Sequence, residues 1–203
     1  ANALGNGQNS YGYALKGVEF TILRVADIVT FTESTNDNHP EYNMTKVLYG
    51  FDKTASADLL KAIGLADGAG RYENADATDK LDSANYYYTS DTLNKALSDA
   101  VAENSTTVKN ALEGYIAASD AAIVMDMTNE YGKTKASGLD TGLWLVLETK
   151  TNEMITSTTA PFFVSLPMTT VSGDENSVSP EGGHQWNYDV TVYPKNETGI
   201  PEL

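Results

Sequence analysis

The chain has 203 residues, 41% hydrophobic and 20% charged, which is enough apolar content to bury a core and argues against wholesale disorder. Its 28 acidic and 13 basic residues leave a formal charge of -15, so nucleic acid and anionic lipid are repelled and excluded as main partners. Cysteine is absent, which excludes disulfides, thiolate catalysis and cysteine zinc sites, and no apolar run approaches the roughly 18 residues of a membrane span.

The length suits one large domain, or one domain carrying a sizeable insertion. No basic-then-apolar leader is visible, so the sequence reads as a mature or trimmed fragment. Twelve tyrosines and Thr-rich alternating runs near both ends favour a β framework.

Residues 1–14, punctuated by Gly, Asn and Ser, read as a flexible lead-in. Strand signals begin at Leu15, and Gly17 to Val25 alternates, with Val18, Phe20 and Ile22 on one parity. The pattern loosens after Asp27, and residues 36–40 read as a loop. Thr54-Ala55-Ser56-Ala57-Asp58 opens an expected helix with apolar positions at Leu59, Leu60 and Ile63, closed by Gly64. Gly68 to Ser83 reads as an acidic loop. Ser90 or Asp91 can cap a helix through Leu93, Leu97 and Val101, and Ser105 or Thr106 can cap another through Val108, Leu112 and Ile116. The stretch from about 45 to 120 therefore reads as a helical insertion between strands. Strands are expected again at 122–127, at 142–149 (apolar until Glu148), and at 162–168, ahead of a Gly/Ser/Asp/Pro loop at 172–183.

The last strand signal carries the most information. In residues 186–195, Trp186, Tyr188, Val190 and Val192 share one parity, and Asn187, Asp189, Thr191, Tyr193 and Lys195 share the other. Strand side chains alternate faces, so burying the first set presents the second to water. Lys195 is then an amine displayed on a stiff edge, beside a proline that cannot pair in a ladder.

This stretch fits W-x-x-x-V-x-V-Y-P-K at Trp186, Val190, Val192, Tyr193, Pro194 and Lys195. Gly17-Val18-Glu19-Phe20-Thr21 is similar to a G-V-x-F-T opening strand, and Gly142 to Thr149 to a G-L-W-L-V-x-E-T segment followed by Ala160-Pro161-Phe162. Over residues 15–203 the chain resembles the N-terminal domain of a sortase-assembled Gram-positive backbone (shaft, major) pilin of the Spa or fimbrillin type. The resemblance implies a mainly β, immunoglobulin-like (CnaB-related) sandwich with α-helices between early strands. It implies one domain over 15–196, a linker opening at 197–203, and an extracellular, cell-wall-anchored pilus. The implied role is structural and not enzymatic. A pilin-specific sortase holds a neighbouring copy as a thioester, and the Lys195 amine attacks it to leave an intermolecular isopeptide bond. A free lysine has a pKa of about 10.4, so its activation must come from the enzyme.

The resemblance also makes Glu148 a candidate E-box glutamate, a residue that in related domains promotes a lysine–asparagine bond within the domain. Asn187 and Asn196 are the nearest candidate asparagines. The pattern breaks at the lysine, because the family's bonding lysine precedes the Gly-Val-x-Phe strand and here only the lead-in precedes it. The plainer reading is a Glu148 that hydrogen-bonds the backbone and orders a strand end.

Other signals are weaker. Leu166-Pro167-Met168-Thr169-Thr170 approximates a sorting signal but is internal and has threonine in fifth place. His39 and His184 are isolated, no cofactor is called for, and no metal-ligand spacing appears. The acidic stretches Glu73-Asp76-Asp79-Asp82 and Asp174-Glu175 lack EF-hand spacing and read as solvated loop charge. The sequons at Asn43, Asn104 and Asn196 carry no weight alone. Two rival readings stand beside the pilin. One is a surface adhesin gripping a host ligand through the insertion or loops. The other is a secreted carbohydrate-active enzyme, which needs paired carboxylates in an aromatic cleft.

Overall fold

The computed structural model describes residues 2–4, 8–10, 14–33, 44–74, 81–153, 155–171, 184–194 and 197–198. Its centre is an antiparallel sheet of six strands. The spine is β3 (Glu19–Glu33), after a short hairpin of β1 (Asn2–Leu4) and β2 (Gln8–Ser10). The lower half of β3 pairs with β7 (Gly142–Lys150), from Glu19↔Lys150 to Ala26↔Leu143. Its upper half pairs with β4 (Met44–Asp52), from Asp27↔Gly50 to Glu33↔Met44. Outside β4 lies β5 (Asn85–Tyr88), and outside β7 lies β9 (Phe162–Leu166). The two-residue β6 (Ile123–Val124) pairs with β3 at Thr21 and Ile22.

Between β4 and β5 runs helix α1 (Ala57–Ala62), and between β5 and β6 runs the 28-residue α2 (Ser90–Ala117). Period-two alternation in β7 divides the core. Leu143, Leu145 and Leu147 meet Leu59, Leu60, Leu93, Leu97, Leu112 and Ile116 of the two helices on one face. Trp144 and Val146 join Val18, Phe20 and Ile22 on the other face, where Met125, Leu139 and Ile155 help cover them. The buried Thr128 fastens this second layer to the start of β3. Its hydroxyl donates to the Leu15 carbonyl at 2.6 Å and accepts from the Val18 N–H at 3.0 Å. The class is the expected one: mainly β, an immunoglobulin-like sandwich carrying helices between early strands.

Four more strands form two small sheets. β10 (Met168–Val171) pairs with β11 (His184–Asn187), and β8 (Ile155–Ser157) pairs with β12 (Glu197–Thr198).

Several expectations are corrected. The lead-in contains a paired hairpin, and β3 continues to Glu33 instead of loosening after Asp27. The stretch 45–120 holds the helices but also β4 and β5. In β4, Val47, Tyr49 and Phe51 face the helices while Leu48 joins Phe31 and Tyr87 on the opposite face. The alternation of Val47, Tyr49 and Phe51 with Lys46, Gly50 and Asp52 is interrupted in the sequence by Leu48, which is buried on the other face. Both expected helices are present within α2, divided at Asn104 where the backbone is non-helical, but their caps differ. Thr89 caps the first, its hydroxyl accepting from the Thr92 N–H at 3.3 Å, and Asn104 caps the second, its side-chain oxygen accepting from the Thr107 N–H. Residues 197–198, read as the start of a linker, belong to a ladder.

The last strand also differs. β11 ends at Asn187, and residues 188–194 have no ladder partner among the described residues. Tyr188 is 70% exposed and Val192 42%, so this parity does not face the core.

Candidate functional site: the surface segment between two ladders

The segment that carries the lysine motif is fastened before and after its centre. Upstream, Trp186 opposes Thr169 and Asn187 opposes Met168. Downstream, Glu197 opposes Ser157 and Thr198 opposes Ile155. Between these points Tyr193 is 85% exposed, Thr191 and Pro194 are exposed, and Val190 is half-buried. Lys195 and Asn196 lie outside the described residues. Asn187 is exposed, and its side-chain oxygen accepts from the Asp189 N–H at 2.9 Å, which turns the chain away from β11.

Glu148 stands where its parity places it, on the Trp144 and Val146 face, with 2% of its surface exposed. One carboxylate oxygen accepts from the Thr159 N–H at 2.9 Å, and the other, Oε1, has no hydrogen-bond partner among the described residues. Thr159 is buried in the link from β8 to β9, so this bond steadies the strand on which β12 lies. Beside it the Lys109 amine of α2 contacts the Thr158 hydroxyl at 3.2 Å. Thr158, Thr159 and β12 were not singled out in the sequence. Only the short Thr-rich run before Ala160-Pro161 hinted at a fixed link. No hydrogen bond joins Glu148 to Asn187 among the described residues, so the structure does not unite those two candidates.

A second polar cluster lies just beyond Glu148, at the last two residues of β7. Glu19 accepts from the Lys150 amine at 2.7 Å and from the Thr149 hydroxyl at 3.1 Å. The Lys150 hydrogen bond holds the Glu19 carboxyl below its ordinary pKa, and the Thr149 bond adds to this against desolvation.

A cleft of about 690 Å³ beside β5 is lined by Tyr72, Tyr86, Tyr87, Lys53 and Arg71 among others. The Lys53 amine sits 4.9 Å from the Tyr86 ring centre and donates to the Ser83 carbonyl, and Arg71 pairs with Glu73. The cations and rings there are already engaged with one another. Among the described residues no group of three potential metal ligands occurs, and no helix is long and apolar enough to cross a membrane.

Comparison with protein families gives a match to the Gram-positive pilin subunit D1, N-terminal domain, over residues 69–197. No curated protein matches. The matched span covers more than half of the chain and takes in Glu148, β8 and the whole Trp186–Lys195 stretch, ending at Glu197, the first residue of β12. The chain belongs to the Gram-positive pilin subunit N-terminal domain family and is a structural subunit of an extracellular pilus.

Proposed function

We propose that this domain is one link of a covalent shaft, with Lys195 as the acyl acceptor. The Lys195 Nζ attacks the thioester carbonyl through which a sortase holds the C-terminal threonine of a neighbouring copy. The C–S bond breaks, the enzyme thiolate leaves, the amine gives up its proton, and an amide joins the two subunits. Each chain donates once and accepts once, so the product is a cell-wall-anchored homopolymer. Covalent joining suits a fibre under load, because a non-covalent contact dissociates at a finite rate.

The observation that carries this reading is the exposure of the segment leading to the lysine. Tyr193 is 85% exposed and Pro194 is also on the surface, while paired strands hold the chain on both sides. An acceptor needs an enzyme-accessible approach on a fixed support, and those flanks supply it. The test is polymerisation by the cognate sortase. Lys195→Ala should keep the wild-type melting temperature and give no high-molecular-weight ladder. A ladder from that variant overturns the assignment.

A further inference from the structure

The outer chain from His184 to Thr198 runs antiparallel to residues 155–171 at both of its ends. At one end β11 opposes β10, from Val171↔His184 to Met168↔Asn187. At the other, β12 opposes β8 through Ser157↔Glu197. Between these clamps the outer chain takes ten residue steps, from Asn187 to Glu197, and the inner chain takes eleven, from Met168 back to Ser157. A ladder carried across the gap therefore keeps its register with one extra residue on the inner side, which is a single β-bulge.

Both sides of the gap are suited to pairing. The inner side is β9, whose one edge is taken by β7 and whose other edge has no strand partner among the described residues. An open edge is a template for another strand. The outer side is residues 188–194, which make no ladder pair among the described residues and still show the apolar alternation Tyr188, Val190, Val192. Being tethered at both ends, the segment meets β9 at an effective concentration that a separate chain does not match.

We infer that residues 188–194 are a strap that closes onto the outer edge of β9, joining the β10·β11 and β8·β12 ladders into one and adding a final strand to the main sheet. The geometry described above is the open form. Closing pairs the edge of β9 and withdraws apolar side chains of the strap from water. Opening gives slack to the chain just before Lys195. The inference rests on register alone and does not require the acceptor role.

The chain has no cysteine, so introduced pairs report without background. Continued from β11, the register sets Val190 opposite Ser165; continued from Glu197↔Ser157, the pair of β12 nearer the gap and ahead of the shift between Glu197 and Thr198, it sets Val190 opposite Val164. Directly opposed antiparallel residues lie about 4.5–5.5 Å apart, within the span of a disulfide. Under mild oxidation either Val190→Cys/Ser165→Cys or Val190→Cys/Val164→Cys should close within one molecule, and which one closes locates the bulge. Val190→Cys/Phe162→Cys, out of both registers, should stay reduced. Failure of both in-register pairs, or linkage only between molecules, overturns the strap. In the unaltered chain, amides of residues 190–193 should exchange at least about tenfold more slowly than an unstructured peptide. Exchange at the unstructured rate overturns it as well. Polymerisation is a separate readout: a closed disulfide in a chain whose lysine proves dispensable removes the acceptor role and leaves the strap standing.

Discussion

The Glu148 carboxylate accepts a 2.9 Å hydrogen bond from the backbone N–H of Thr159, a contact buried under the apolar second layer of the sheet. Removing one partner of a buried hydrogen bond costs about 1–3 kcal/mol, more than the bond itself contributes net. Glu148→Ala should lose about that much in urea denaturation. Glu148→Gln keeps a carbonyl acceptor and should stay within about 1 kcal/mol of wild type. The intact mass should equal that of the unmodified sequence. Loss of one ammonia would instead show a lysine amine joined to an asparagine side chain, with Glu148 as the group that promotes the exchange.

The Glu19–Lys150 pair predicts an acid limb in the stability curve. The folded pKa of Glu19 lies below its unfolded value, which is about 4.3. Its contribution is therefore fully present above that value and is lost as pH falls through the lower, folded one. Asp52 acts in the same direction, because the Ala55 and Thr54 N–H groups donate to its carboxylate. Thermal melts from about pH 6 to pH 3 should fall on the acid side, and Lys150→Met should flatten the fall. An identical slope in that variant would remove Glu19 from the account.

At Asn104 the backbone of α2 leaves the helical region (φ -155°, ψ 83°), and its side-chain oxygen accepts from the Thr107 N–H at 3.1 Å. This is an N-cap inside a helix, restarting the second half after the bend. Asn104→Ala should cost about 1 kcal/mol and Asn104→Asp nearly nothing, measured by chemical denaturation. Equal stability of all three would mean that the bend is held from outside.

Gly142 opens β7 at φ +145°, and a Cβ there would lie 2.6 Å from both the Ala26 carbonyl oxygen and the Arg24 Nε. The β3·β7 register shifts between Arg24 and Ala26, so the glycine is what lets the two strands close over that irregularity. Gly142→Ala should destabilise by about 1–3 kcal/mol. A neutral result would show that the shifted register yields readily.

The sequence made some of this legible. Leu59, Leu60 and Ile63 named the buried side of α1, and Glu148 sharing parity with Trp144 named the face it would enter. Three things did not show. β4 alternates at Val47, Tyr49 and Phe51, but Leu48, buried on the opposite face, breaks the pattern within a short window. The division of the long β3 between β7 and β4 is a pairing choice that no local window contains. The strap was read as a buried strand because its alternation is right; pairing, which depends on residues 155–171, decides whether that alternation is used.

The two ladders that flank the strap differ in length, with four opposed pairs between β10 and β11 and two between β8 and β12. Tension applied at a point between them divides unequally, and the shorter zipper yields before the longer one. Without sulfur crosslinks to stop it, peeling would start at Glu197↔Ser157 and run on to Thr198↔Ile155, away from the buried anchor at Thr159, so the weakest stitch among these ladders lies on the downstream side of the motif.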